Sequence, residues 1–198
     1  MKSGTTRQRI LDIAEKQFFR HGFYRVSMNN LVEELHTSKS TIYKYFQSKE
    51  DLVEAVLMDI NRKINTSLEK IIDDNSMPFP DKMEKITQFT GDILSRVGEE
   101  FLNDLSRYTP LLWEEYQRLR RERLENLYGR LINNGVQDGI LRSDIQSGFL
   151  LLVYTKLTEI AVQPELLSEL SLSNTEAYSL LSKIFLEGTL TETGREIT

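Results

Sequence analysis

Residues 27 to 49 read Ser-Met-Asn-Asn-Leu-Val-Glu-Glu-Leu-His-Thr-Ser-Lys-Ser-Thr-Ile-Tyr-Lys-Tyr-Phe-Gln-Ser-Lys. Leu31 and Leu35 share one helix face at i,i+4 spacing, and Ile42 and Phe46 repeat that spacing on the next segment. Two short amphipathic helices joined by a tight turn follow, with these four side chains pointing inward together. What remains outside on the second helix is Lys39, Ser40, Thr41, Tyr43, Lys44 and Tyr45. These are donors and acceptors suited to phosphates and base edges, whereas a merely solvated helix carries alternating Glu and Lys.

Working outward, almost every long segment shows helical period and none shows sustained alternation between hairpin turns, so the chain is expected to be all-α. A first helix starts at Thr5 or Thr6, where Thr5 and Gln8 fit a capping box. It carries Ile10, Ala14 and Phe18 on one face and stops at His21-Gly22. Ser27 caps the second helix and Thr37 or Ser38 the third. Ser48 caps a long linking helix, about 48–74, whose Leu52, Val56, Ile60, Ile64 and Leu68 recur every four residues. The prolines of Asn75-Ser-Met-Pro-Phe-Pro80 break it.

Further helices are expected from Asp81 to about Val97, from Glu99 to Tyr108, and from Pro110 or Leu111 to about Asn134. Gly135 and Gly139 punctuate the next connection. Asp144 is expected to cap a helix through Ile145, Phe149, Leu152, Val153 and Ile160, and a last helix from Asn174 or Thr175 carries Leu181, Ile184 and Phe185. The 148–154 stretch is apolar nearly all round and must be covered on all sides. The last two helices are therefore expected to pack against their copies in a homodimer, through Phe149, Leu152, Val153, Ile160, Leu181, Ile184 and Phe185. The expected domains are 1–47, a three-helix helix-turn-helix head, and 48–198, a helical effector-binding and dimerisation body.

The chain of 198 residues has a net charge of -5, unpromising for a nucleic-acid binder until it is divided. Residues 1–50 hold nine Lys/Arg and five Asp/Glu, and residues 51–198 hold sixteen and twenty-five. A basic head on an acidic body concentrates attraction to phosphates at one end. Cysteine is absent, no stretch supplies the roughly 20 apolar residues of a membrane span, and no signal-peptide core is visible, which points to the cytoplasm.

With two histidines, His21 and His36, and no cysteine, no metal site is expected. No phosphate loop, nucleophile elbow or paired catalytic carboxylate points to an enzyme or a cofactor. Arg118, Arg120, Arg121 and Arg123 interleave with Glu122 and Glu125 and read as a solvated face. Phe89, Phe101, Tyr108, Trp113, Tyr116 and Tyr154 are the candidates for an effector pocket in the body. Arg120, one turn beyond Tyr116, is placed to meet an acidic group, and a hydrophobic or amphipathic effector is expected.

Residues of about 5 to 58 resemble the DNA-binding domain of the TetR family of bacterial transcriptional regulators. The resemblance is carried by Arg9-Ile-Leu-Asp-Ile-Ala14, Phe18 and Phe19, His21-Gly-Phe23, Val26-Ser27, Thr41-Ile-Tyr43, Tyr45-Phe46 and Lys49-Glu-Asp-Leu52. It implies a ligand-released repressor that binds double-stranded operator DNA as a homodimer. By position it gives Ser27 and Tyr43 phosphate contacts, Lys49 a phosphate at the start of the linking helix, and Lys39, Ser40, Thr41, Lys44 and Tyr45 the groove.

The chain departs from the family at Leu35-His36-Thr37, where Ala-Gly-Val is usual. It also departs at Val32, usually alanine, and at Ser40, commonly glycine. A histidine at the left-handed turn position costs of order 1 kcal/mol. A turn altered at His36 would favour the alternative, a sensor or protein-interaction module without sequence-specific DNA binding.

Overall fold

The head helices begin and end where local chemistry stops them. In the computed structural model, which describes residues 5–160 and 169–196, α1 runs Thr6–His21, with the Thr5 hydroxyl accepting the Gln8 N–H. Gly22 ends α1 at φ 73°, and its N–H returns to the Phe18 carbonyl at 2.9 Å. Helix α2 (Met28–Leu35) opens on a capping box between Ser27 and Asn30, and α3 (Lys39–Tyr43) on Ser38, not Thr37. Helix α3 is shorter than expected: Lys44 closes it, and Lys44 to Phe46 continue as a hydrogen-bonded turn.

Helix α4 spans Lys49–Ile72, with the Ser48 hydroxyl accepting the Asp51 N–H. Helix α5 is Phe79–Arg96, starting two residues earlier than expected. Pro80 falls in its first turn, where an absent N–H costs nothing, and the Pro78 carbonyl accepts the Lys82 N–H. Helix α6 is Glu99–Tyr108 and α7 is Pro110–Arg123. The expected single helix to Asn134 is interrupted by a π-helical turn, Leu124–Tyr128, before α8, Gly129–Gln137.

Gly135 does not break α8. It lies inside the helix, buried where a Cβ would meet the Phe79 ring at 2.7 Å, and Gly139, at φ 71°, makes the turn instead. Helix α9 is Ser147–Ile160. Asp144 is not its cap: its carboxylate is taken by the Arg142 guanidinium in a two-pronged pair at 2.6 and 2.9 Å. Helix α10, Asn174–Thr189, opens on a Ser173–Glu176 capping box, and a short α11, Glu192–Glu196, was not anticipated. Among the described residues the only extended pairing is an isolated bridge, Leu141 to Leu190. None of their helices is long and apolar enough to cross a membrane.

By packing, the chain divides into two units, Met1–Ile64 with Arg96–Arg118, and Asn65–Ser95 with Leu119–Thr198. The first unit thus takes α6 and most of α7 along with the three head helices. Its core joins Ile10, Leu11, Ala14 and Phe18 of α1 to Leu31, Leu35, Ile42 and Phe46, and to Phe101 and Leu105 of α6. In the second unit Leu127, Tyr128, Leu131, Leu150, Tyr154 and Phe185 are buried. Full burial of such side chains stabilises by about 1.5–3 kcal/mol each.

Candidate nucleic-acid interface

Leu31, Leu35, Ile42 and Phe46 are all buried, as their spacing requires, with Ile42 at 0% exposure. This fixes which side of α3 faces water. Lys39, Ser40, Tyr43, Lys44 and Tyr45 are exposed and Thr41 is half-exposed, so the six polar side chains form one continuous face backed by core. Ser38 organises its start: its hydroxyl lies 2.8 Å from both the Ser40 and Thr41 hydroxyls and accepts the Thr41 N–H at 3.1 Å. The Lys39 ammonium stands 5.8 Å over the Tyr43 ring. Tyr43 and Tyr45 are 40% and 39% exposed, which leaves both amphipathic phenols at the surface.

The turn before α3 is closed in the ordinary way despite its histidine. His36 adopts φ 49°, ψ 50°, the left-handed conformation that favours glycine. Its N–H reaches the Glu33 carbonyl and that of Thr37 the Val32 carbonyl, both at 3.2 Å, satisfying the last carbonyls of α2. The histidine imposes strain without changing the turn.

Ser27 is exposed at the α2 N-terminus, where its hydroxyl accepts the Asn30 N–H and donates to Asn30 Oδ1. Lys49, the first residue of α4, is half-buried, and its ammonium donates to the Tyr24 carbonyl at 3.0 Å while lying 5.9 and 6.0 Å from the Phe23 and Tyr24 rings. Burial holds its pKa below the ordinary lysine value, against the opposing pull of Glu50 and Asp104. Lys49 is therefore more enclosed than a surface lysine.

The residues expected around an effector are divided between the two units. Phe101 is core of the first unit, edge-on to Phe19 at 5.2 Å and Phe23 at 6.3 Å. Tyr108 is exposed and stacks on Tyr24 at 4.0 Å, and Trp113 and Tyr116 stack on each other at 5.4 Å against the same core. All four belong to the first unit: Phe101 and Tyr108 lie on α6, which packs on α1, and Trp113 and Tyr116 lie on α7 against the same core, contacts no local pattern announces. Phe89, Arg120 and Tyr154 lie in the second unit. Phe89 is half-buried, the Arg120 guanidinium donates to Thr158 Oγ1 at 3.5 Å, and the Tyr154 hydroxyl is 2.6 Å from that of Tyr178.

Burial pushes both phenols well above the ordinary tyrosine value, and for Tyr154 the neighbouring Tyr178 and Tyr128 add to the rise. Sequence reasoning missed Tyr178 and the π-turn residue Tyr128, whose ring is 5.0 Å from that of Tyr154.

Of the residues expected at a dimer interface, Phe149, Leu152, Ile160 and Ile184 are exposed at 56, 52, 38 and 62%, and Leu180, not anticipated, at 49%. Val153 and Leu181 are half-buried. Phe185 is turned inward: it is buried with its ring edge-on to Tyr154 at 5.1 Å, so it serves its own unit's core.

Asp12, Glu15 and Asp59 bring three carboxylates within 4.8 Å of one another. Their centre is occupied by the Lys63 ammonium, at 2.8 Å from Glu15, 2.9 Å from Asp59 and 3.5 Å from Asp12. The cluster is an ion-pair network joining α1 to α4 within the first unit.

Residues 10–56 match the family described as bacterial regulatory proteins, tetR family. An HTH-type transcriptional regulator of Staphylococcus aureus (strain bovine RF122 / ET3-1), SAB2452, is 41% identical over 69 residues, 34% of this chain and 37% of that relative. The chain thus matches little more than a third of that protein's length.

Among solved structures, the reduced form of NemR from E. coli has a similar fold, with TM-score 0.77, 18% identity, and coverage of 95% of this chain and 98% of that one. The SmeT–triclosan complex is similar at TM-score 0.74 and 19% identity, over 96% and 93%.

Proposed function

We propose that this chain, whose head belongs to the TetR family of bacterial regulatory proteins, is a homodimeric, cytoplasmic repressor released from double-stranded operator DNA by a small hydrophobic or amphipathic effector. The observation that carries this reading is the α3 face, in which Lys39, Ser40, Thr41, Lys44 and Tyr45 stand together over fully buried Ile42 and Phe46. The face lies inside the matched 10–56 segment. Its side chains supply the donors and acceptors that read base edges, while Ser27, Tyr43 and Lys49 hold phosphates.

Two-fold symmetry of the protein implies a pseudo-palindromic operator with half-sites about one helical turn apart. The exposed apolar stripe of α9 and the exposed Leu180 and Ile184 of α10 support the dimer. A water-facing row of this kind on a single chain marks an association surface.

For the effector, Phe89, Arg120 and Tyr154 are the candidate contacts in the second unit, and triclosan, bound by the similarly folded SmeT, is of the expected chemical class. Effector binding acts by changing the spacing of the two heads through α4, favouring a state that no longer spans both grooves.

Selecting duplexes from a random-sequence pool with the full chain tests the reading. The expected result is an inverted repeat whose binding weakens steeply with salt and whose salt slope falls by about 2 in a Lys49→Ala dimer, one phosphate per head. Recovery of no common sequence would exclude it.

A further inference from the structure

The turn between α1 and α2 is held through the two backbone polar groups of a single residue, Tyr24. The Tyr24 N–H donates to Asp104 Oδ2 at 2.8 Å, and the Tyr24 carbonyl accepts the Lys49 ammonium at 3.0 Å. Asp104 belongs to α6, eighty positions along the chain from Tyr24, yet within the same packed unit. Its side chain is only 9% exposed. The close approach depends on Gly22, at φ 73°, because a Cβ there would stand 2.5 Å from Asp104 Oδ2. Tyr108 of the same helix lies flat on the Tyr24 ring, 4.0 Å away with planes inclined by 13°.

A buried carboxylate is costly unless donors or cations answer it. Here one backbone N–H and the nearby ammonium of Lys49 do so. An ammonium carries three donors, and the Tyr24 carbonyl takes one of them, which fixes the direction of the other two. The four-carbon stem of a lysine has no such direction by itself.

We propose that Asp104 is a positioning residue for DNA binding. By gripping the Tyr24 N–H, while Tyr108 of the same helix stacks on the Tyr24 ring, it restrains the residue whose carbonyl, in the next peptide plane, aims Lys49 at a phosphate, so that α6, a helix from beyond the DNA-binding segment, sets operator affinity through Lys49. The proposal rests on the DNA-binding reading given above. It differs from a purely structural role for Asp104 in one respect: its effect on DNA must disappear when Lys49 is absent.

The test is a double-mutant cycle in the full chain, measuring affinity by anisotropy for a labelled duplex that the wild-type chain has selected from a random pool. Asp104→Ala is expected to weaken binding by about tenfold, the scale of a lost hydrogen bond to a charged group. In a Lys49→Ala background the same change is expected to have an effect of less than about twofold.

If Asp104→Ala does not fold, Asp104→Asn takes its place. It keeps an acceptor for Tyr24 but loses the charge, and is expected to weaken binding about threefold with Lys49 present and not at all without it.

An equal loss in both backgrounds, or no loss with Lys49 present, overturns the proposal and leaves the DNA-binding reading intact. Failure of the wild-type chain to select any sequence overturns that reading and the proposal with it.

Discussion

Replacing Lys63 with methionine removes the one cation at the centre of three carboxylates while keeping an unbranched stem of similar length. The consequences divide by burial. Asp12, 57% exposed and 3.5 Å away, and Glu15, 22% exposed and 2.8 Å away, are worth about 0–1 kcal/mol each as partners in or near solvent.

Asp59 is different. It is 8% exposed and 2.9 Å from the ammonium, and after the substitution it keeps only the Arg62 guanidinium at 2.5 Å and the Gln8 amide at 3.2 Å. A lost charge-assisted hydrogen bond to a buried group costs about 1.5–3 kcal/mol, and three mutually close carboxylates then repel. A net loss of about 2–3 kcal/mol at pH 7 follows, or about 5–10 °C in Tm for a chain of this size.

The pH dependence has a definite sign. Burial alone would raise the Asp59 pKa, but hydrogen bonds from Lys63, Arg62 and Gln8 outweigh it and hold it below the ordinary value. Its contribution is therefore present above the unfolded value of about 3.9 and is lost as pH falls through the folded value. Urea unfolding followed by circular dichroism should show the deficit in full at pH 7 and shrinking below about pH 4. A deficit under about 0.5 kcal/mol at pH 7, the size of an ordinary surface substitution, or one that grows on acidification, would refute the reasoning.

His36→Gly relieves the left-handed strain at φ 49° and should raise stability by about 0.5–1 kcal/mol, or 1–4 °C in Tm; destabilisation would mean the histidine side chain holds the turn. Of the eight tyrosines, Tyr154 and Tyr178 have raised pKa values, so the stability they contribute is full below the unfolded value of about 10 and lost as pH rises through the folded values. A spectrophotometric titration should show these two ionising only as the second unit unfolds, and one class of eight titrating near pH 10 would contradict it. Phe149→Glu with Ile184→Glu should give a monomer of unchanged helicity by sedimentation, since each apolar side chain buried at an interface contributes about 1.5–3 kcal/mol; a persisting dimer would move the interface elsewhere.

The head was legible because its signals are local. Ser27 with Asn30, Ser38 with Thr41, and Gly22 after His21 each decide a boundary within three or four residues, and the inward faces of α2 and α3 follow from their spacing. The family resemblance, which puts glycine at this place, marked His36 as left-handed, and the backbone has it so at φ 49°.

What stayed hidden is what only tertiary contact decides. Phe101 and Tyr108 look like pocket aromatics in sequence, but α6 packs on α1 and draws both into the head. Asp104 shows no signal at all, since its partner is eighty residues away. Asp144 has the chemistry of a cap, yet Arg142, two residues before it, holds the carboxylate. A π-turn at Leu124–Tyr128 adds a residue to one turn, which a helical period read from the sequence does not register.

The central claim, that α3 reads base sequence, is tested most directly by comparing affinity for the duplex the chain selects with affinity for a scrambled duplex of equal length at physiological salt. The account predicts a preference of about a thousandfold or more, reduced most by substitution of Lys39, Thr41 or Lys44. Equal affinity for the two duplexes would contradict it.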